Sequence, residues 1–292
     1  MTATAGSRAE RLPPWMLAVT AIFSIQFCSA LSLPLISQLG AAGTAWLRLT
    51  AGALIFIAIA RPPFRHIAGR DVPALLALGI TTGLMTTMFL AAIQYIPLGT
   101  AVAIEFLGPL TVAALRSHTR RALIWPLVAL IGVLLLTQPW RGDIDLAGVA
   151  FAAGSAACWA FYIMLTQRVG DRFSGTRGLS ITMPIAAATA AVAGIPQVSG
   201  TVTFSVIAAA AGLAILSPVL PFALEMAALR RMTPSAFGTL MALEPAVAEV
   251  LGLVVLNQKP TAIQVAGIAL VVLAGAAAQR GGQRIAAAAG SS

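Results

Sequence analysis

Residues 94–109 read Gln94-Tyr-Ile-Pro-Leu-Gly-Thr-Ala-Val-Ala-Ile-Glu-Phe-Leu-Gly-Pro109, and residues 231–245 read Arg231-Met-Thr-Pro-Ser-Ala-Phe-Gly-Thr-Leu-Met-Ala-Leu-Glu-Pro245. Each string has a proline at its fourth position, runs apolar, carries one glutamate and closes on a proline. Pro109 and Pro245 are 136 residues apart. The glycine in the next apolar run of each half, Gly132 and then Gly267, repeats at an offset of 135. The chain therefore contains an internal repeat of somewhat less than half its length.

Around these strings the sequence divides into apolar runs of membrane-crossing length, about 20 residues each. Ten such runs are read: 14–34, 42–60, 73–95, 98–115, 122–139, 146–166, 178–196, 204–227, 235–256 and 261–279. With 59% apolar and 9% charged residues in 292, the composition departs far from the roughly 45–50% and 25% of a soluble domain. The first run follows Arg8 and Arg11 as a signal peptide would. Its length, and the nine runs behind it, favour a retained span.

Fifteen of the 18 Lys and Arg fall before the first run, after the last, or in every second gap. They are Arg8, Arg11, Arg61, Arg65, Arg70, Arg116, Arg120, Arg121, Arg168, Arg172, Arg177, Arg230, Arg231, Arg280 and Arg284. The alternate gaps hold only Arg141 and Lys259, and Arg48 lies inside a run. Positive charge collects on the cytoplasmic side of membrane proteins, so both termini are placed in the cytoplasm. Five runs per half is an odd number, so the halves lie in opposite orientation. The expected fold is an all-α integral membrane protein of ten transmembrane helices, arranged as two five-helix inverted-topology repeats. The repeats occupy 14–139 and 146–279, with a cytoplasmic segment at 1–13 and a cytoplasmic tail at 280–292. Secondary transporters use this architecture and place their site near the midplane between the halves.

The net charge of +9 does not form the clustered patch of a nucleic-acid binder. Cys28 and Cys158 lie inside apolar runs and read as neither a disulfide nor a metal site. His66 and His118 lie in cytoplasmic gaps, and no nucleophile, zinc or phosphate-loop motif occurs. Nothing calls for a cofactor or an enzymatic activity.

Charge inside a span is costly, about 2.5–3.5 kcal/mol at the bilayer centre on insertion scales. Five residues incur it: Arg48, Glu105, Glu225, Glu244 and Glu249. Arg48 is a fork for a substrate carboxylate or a balancing charge for a glutamate. Glu105 and Glu244, mid-span beside the repeated prolines, are candidates for a substrate ammonium or a coupling proton. Glu225 follows Pro218 and Pro221, which should break their helix and free backbone carbonyls. Gln26, mid-span 1, and Trp159 with Tyr162, at i and i+3 on one face of span 6, are placed on the cavity wall. The expected partners are a small molecule, protons and the lipid bilayer, with the chain monomeric or weakly dimeric.

Several strings together resemble the EamA-type branch of the drug/metabolite transporter superfamily, and within it the threonine/homoserine exporters of the bacterial inner membrane. They are Ser24-Ile-Gln26, Leu47-Arg48-Leu49, 96–109, Ala157-Cys-Trp-Ala-Phe-Tyr-Ile163, Leu224-Glu-Met226 and 237–245. The resemblance implies efflux of small amino acids across the plasma membrane in exchange for protons. It brings forward Gln26, Arg48, Glu105, Trp159, Tyr162, Glu225 and Glu244 as matching positions. The other reading is export of different metabolites or drugs on the same fold. This chain departs from the resemblance in two places. Leu256-Asn257-Gln258 stands where a Leu-Gly-Glu is common, and Glu249 stands where a small residue is usual.

The charge alternation fixes the sidedness of individual residues. A Lys259→Cys variant should be labelled in intact cells by a membrane-impermeant maleimide, and an Arg177→Cys variant only after the cells are opened. The reverse pattern would invert the topology.

Overall fold

The computed structural model describes residues 12–60, 69–115, 123–141, 145–170, 176–198, 202–229, 231–232 and 234–281. Arg8, Arg11, Arg61, Arg65, Arg116, Arg120, Arg121, Arg172, Arg230, Arg284, both histidines and most of the two terminal segments lie outside them. The described elements are helical, with no strand among them. They are α1 (Pro14–Ala60), α2 (Val72–Tyr95), α3 (Leu98–Glu105), α4 (Leu107–Leu115), α5 (Ile124–Thr137), α6 (Leu146–Gly170), α7 (Thr176–Val198), α8 (Phe204–Ala214), α9 (Leu220–Leu229), α10 (Pro234–Met241), α11 (Glu244–Leu256) and α12 (Ala262–Gly281).

Among the described residues, seven helical stretches are long and apolar enough to cross a membrane, and two shorter apolar helices, Ile124–Thr137 and Ala262–Ala278, accompany them. This differs from ten separate runs, and the causes are local. Spans 1 and 2 form one 47-residue element that contains two helices joined at Gly40, whose backbone is non-helical (φ 74°, ψ 166°). Of the residues expected to link them, 35–41, all but Gly40 remain helical. Gly40 suits the site twice over, because positive φ disfavours a Cβ and any Cβ there would strike the Gln197 side chain. Gln197 Oε1 accepts from Ala42 N and Gly43 N, 3.1 Å each, so a side chain from α7 caps the second half of α1. Helix α5 stops at Gln138, which is left-handed (φ 43°) and donates its N–H to Leu134 O.

Proline sets the other interruptions. A proline has no N–H for the carbonyl four residues earlier. Pro109 therefore leaves Glu105 as the last residue of α3, Pro245 leaves Met241 as the last of α10, and Pro218 leaves Ala214 as the last of α8. After Ala214 the chain makes a π turn over Ile215–Val219, with Ser217 non-helical (φ −161°, ψ 118°). The span breaks at Pro218 as expected, Pro221 falls in the first turn of α9, and α1 donates to carbonyls beside the break. Ser24 Oγ donates to Leu216 O (2.7 Å) and Cys28 Sγ to Leu213 O (3.2 Å).

Helix α1 packs on α7, α8 and α9; α2 on α6 and α7; α3 on α11; and α5 on α12. In the last pair the repeated glycines meet each other. A Cβ on Gly132 would sit 2.6 Å from Gly267 O, and one on Gly267 would sit 2.6 Å from Gly132 O. Close backbone approach through small residues is how helices associate where lipid gives no hydrophobic drive between them.

Gly267→Val should lower the melting midpoint in detergent by the equivalent of about 1–3 kcal/mol, the usual cost of overpacking. Gly212→Ala should leave it unchanged or raised, since nothing lies within 4 Å of a Cβ there. Equal loss in both variants would mean that α5 and α12 do not meet at these glycines.

Candidate transport site

Two glutamates, Glu105 and Glu225, lie within electrostatic reach of a third, Glu244. Glu105 ends α3, Glu244 opens α11 after the break before Pro245, and Glu225 lies on α9 beyond the π turn. Glu244 lies within electrostatic reach of both Glu225 and Glu105. Glu244 is buried, 5% exposed, while Glu105 and Glu225 are half-buried. The three side chains thus stand on three different helices, with Glu244 between the other two electrostatically. Each break supplies one of these residues, so the prolines that interrupt the helices also position the charges.

Helix α6 forms another wall. Ser155 donates to Glu105 Oε1 and also reaches Met85 O at 3.1 Å. Cys158 lies in the field of Glu105. Trp159 stands edge-on to Phe106, with ring centroids 6.2 Å apart. The Tyr162 hydroxyl shares a hydrogen bond with Thr166 and lies in the field of Glu225. Positions 155, 158/159 and 162 form one helical stripe. The sequence reading found its lower end in Trp159 and Tyr162 and missed Ser155, which the same spacing, extended one turn back, would have found.

Arg48 and Gln26 have different surroundings. Arg48 is 8% exposed and donates from Nη1 to Ser32 Oγ (3.2 Å) and Cys28 Sγ (3.6 Å), while its Nε has no partner. Among the described residues no carboxylate pairs with it. Gln26 is 3% exposed, and its Oε1 also lacks a partner. Glu249 lies apart from the three glutamates, with its carboxylate against Gly99. Two further residues were not singled out by the sequence reading for structural roles. Gln197 caps α1, and Gln258 Oε1 accepts from Leu98 N (3.1 Å) at the start of α3. No group of three or more His, Cys, Asp or Glu with metal-binding geometry occurs among the described residues.

Membrane-crossing helices interrupted beside buried carboxylates are an arrangement used by membrane transporters. Residues 146–277 match the EamA-like transporter family. The chain is 38% identical over 271 residues to the threonine/homoserine exporter RhtA of Escherichia coli K12, covering 91% of this chain and 92% of that one. It is 37% identical, with the same coverage, to the threonine/homoserine exporter RhtA of Salmonella typhimurium LT2. This chain belongs to the EamA-like transporter family. A solved crystal structure, described only as that of a protein, superposes with a TM-score of 0.59 at 19% identity. It covers 91% of this chain and 98% of its own, and at that identity it speaks for the fold alone.

The geometry distinguishes the two cysteines. Cys28 is fully buried, whereas Cys158 is partly accessible beside Glu105. A small thiol reagent should modify Cys158 first in the folded protein, read by peptide mass spectrometry. Faster modification of Cys28 would contradict this placement.

Proposed function

We propose that this protein exports small amino acids such as threonine and homoserine across the bacterial inner membrane, by proton antiport with alternating access. The single observation that carries the mechanism is the electrostatic closeness of Glu244 to both Glu105 and Glu225. Carboxylates that repel one another and lack a paired cation hold protons, or a positively charged group, more readily than isolated ones. A substrate ammonium and a proton therefore compete for the same groups. Only one can be carried in each half of the cycle, which is the requirement for exchange. The 37–38% identity to two proteins named as threonine/homoserine exporters supports the substrate class.

The ten-helix reading belongs to the same proposal, with both termini cytoplasmic and halves at 14–139 and 146–279. Counting α1 as two helices joined at Gly40 and including the two shorter apolar helices supports it. So does the family match at 146–277, close to the second half. The Gly132–Gly267 contact, between positions that correspond in the repeat, supports an axis of inverted symmetry at α5 and α12. Rocking of one half against the other about that axis would expose the carboxylates to each side in turn. Gln26, Trp159 and Tyr162 line the route in this reading. Arg48 receives the substrate carboxylate when the site closes, through the Nε that has no partner in this state. The working unit is a monomer or weak dimer.

One observation favours the second reading, an exporter of other metabolites or drugs. With Arg48 held by Cys28 and Ser32, the carboxylates and the Trp159–Phe106 pair form a site that also suits an aromatic or lipophilic cation.

Purified protein in liposomes with an acidic interior should accumulate labelled threonine or homoserine, and a protonophore should abolish the accumulation. Glu105→Gln should reduce gradient-driven accumulation at least tenfold. Accumulation of a lipophilic drug cation alone would select the second reading, and undiminished transport by Glu105→Gln would remove that residue from coupling.

A further inference from the structure

Glu249 is left over from the site just described. It lies on α11 five residues beyond Glu244, about 7.5 Å further along the helix axis at 1.5 Å per residue. Five residues also turn the helix by about 140° from Glu244, at 3.6 residues per turn. Its carboxylate is not solvated at a helix end, because seven residues of α11 still follow it. The side chain is half-buried and meets the backbone of Gly99, where any Cβ would overlap Oε2. Gly99 lies in the first turn of α3, and Glu105 is the last residue of that helix. Helices α3 and α11 pack together, so Glu249 lies on their seam at Gly99, while Glu105 and Glu244 stand at the opposite end of the same helix pair.

Beyond Glu249 the seam is tied at its end. Gln258 Oε1 accepts from Leu98 N, and Gln258 N donates to Gly252 O. Glu249 is the one titratable group of α11 besides Glu244, and Lys259 follows Gln258 just past the end of that helix. Among the described residues, no charged side chain of α1, α3 or α12, the helices packed on α11, lies in its field, and no hydrogen bond holds it. An ionisable side chain in a span without a partner is costly unless it exchanges protons with water or with another site.

We infer that Glu249 is the proton port on the non-cytoplasmic side of the site. It takes a proton from the outer aqueous phase when the α3–α11 seam opens and passes it to Glu244 or Glu105. The proton leaves water for a Glu249 carboxylate oxygen, then moves to the inner carboxylate over the intervening gap through water admitted by the opening. No bond other than O–H forms or breaks. The notch at Gly99 is what seats the carboxylate on the seam, so Glu249 and Gly99 act as a pair. Glu249 does not contact substrate in this scheme. The inference rests on the proton-antiport reading above.

Two assays in the same liposomes separate the two. Threonine counterflow at equal pH on both sides requires no net proton movement, whereas accumulation against a pH gradient does. Wild-type protein should perform both. Glu249→Gln should keep counterflow within about twofold of wild type, lose at least fivefold of gradient-driven accumulation, and show a flattened dependence on outer pH. Gly99→Ala, which displaces the carboxylate while leaving it ionisable, should shift that dependence and retain counterflow. Gradient-driven accumulation by Glu249→Gln at the wild-type rate, with an unchanged pH profile, would overturn the port. Loss of counterflow and accumulation together, in variants that elute and melt as wild type does, would also overturn it by placing Glu249 in substrate binding. Counterflow without any pH dependence in the wild-type protein would instead overturn the antiport reading and the port with it.

Discussion

A carboxylate held among lipid-depth helices costs several times the net worth of an ordinary hydrogen bond, and this chain gathers three of them without pairing any to a cation. The rest of the architecture follows from accommodating them. A continuous helix would leave such side chains with only its neighbours' apolar surfaces. Breaks at Pro109, Pro218 and Pro245 end three helices early, and Glu105, Glu225 and Glu244 stand beside these breaks, with Glu244 in electrostatic reach of the other two. Breaking a helix in a membrane exposes backbone groups, and these must be satisfied from inside the protein. Ser24 and Cys28 supply the hydrogen bonds at one break, and Gln197 and Gln258 cap two helix starts. Many of the other Ser and Thr hydroxyls donate to the carbonyl four residues earlier in their own helix.

Dense packing around the breaks keeps the carboxylates in place. Gly132 and Gly267 let α5 and α12 cross at backbone distance, away from the site. Ser155, Trp159 and Phe106 fix one wall of it. The interrupted segments are short and locally held, and the uninterrupted α2, α6 and α7 form the scaffold against which they can move. This division between rigid helices and broken ones is the form expected of alternating access.

Much of this was legible in the residues. The glutamates announced themselves because charge in an apolar run is rare, and the repeat of Pro-then-Glu-then-Pro pointed to the two halves. The breaks at Pro218 and Pro221 followed from the missing N–H. Other features were not legible, for reasons of geometry. Residues 35–41 fell between the first two apolar runs, yet helix persists through Pro34 and the turn is concentrated at Gly40. Arg48 lies in the same run of evidence as the glutamates, but sequence gives its depth without its direction, and its Nη1 points to Cys28 and Ser32. Caps such as Gln197 and Gln258 act across more than 150 residues, beyond the reach of any local pattern. Ser155 was within reach, one turn before Trp159 on the same face.

The central claim is that substrate and proton compete for the same three glutamates. It is tested most directly by adding threonine to purified, weakly buffered protein and recording the pH. Saturable release of protons on binding, lost in Glu244→Gln, is the predicted result. Saturable threonine binding with no proton release across the pH range of transport would contradict it.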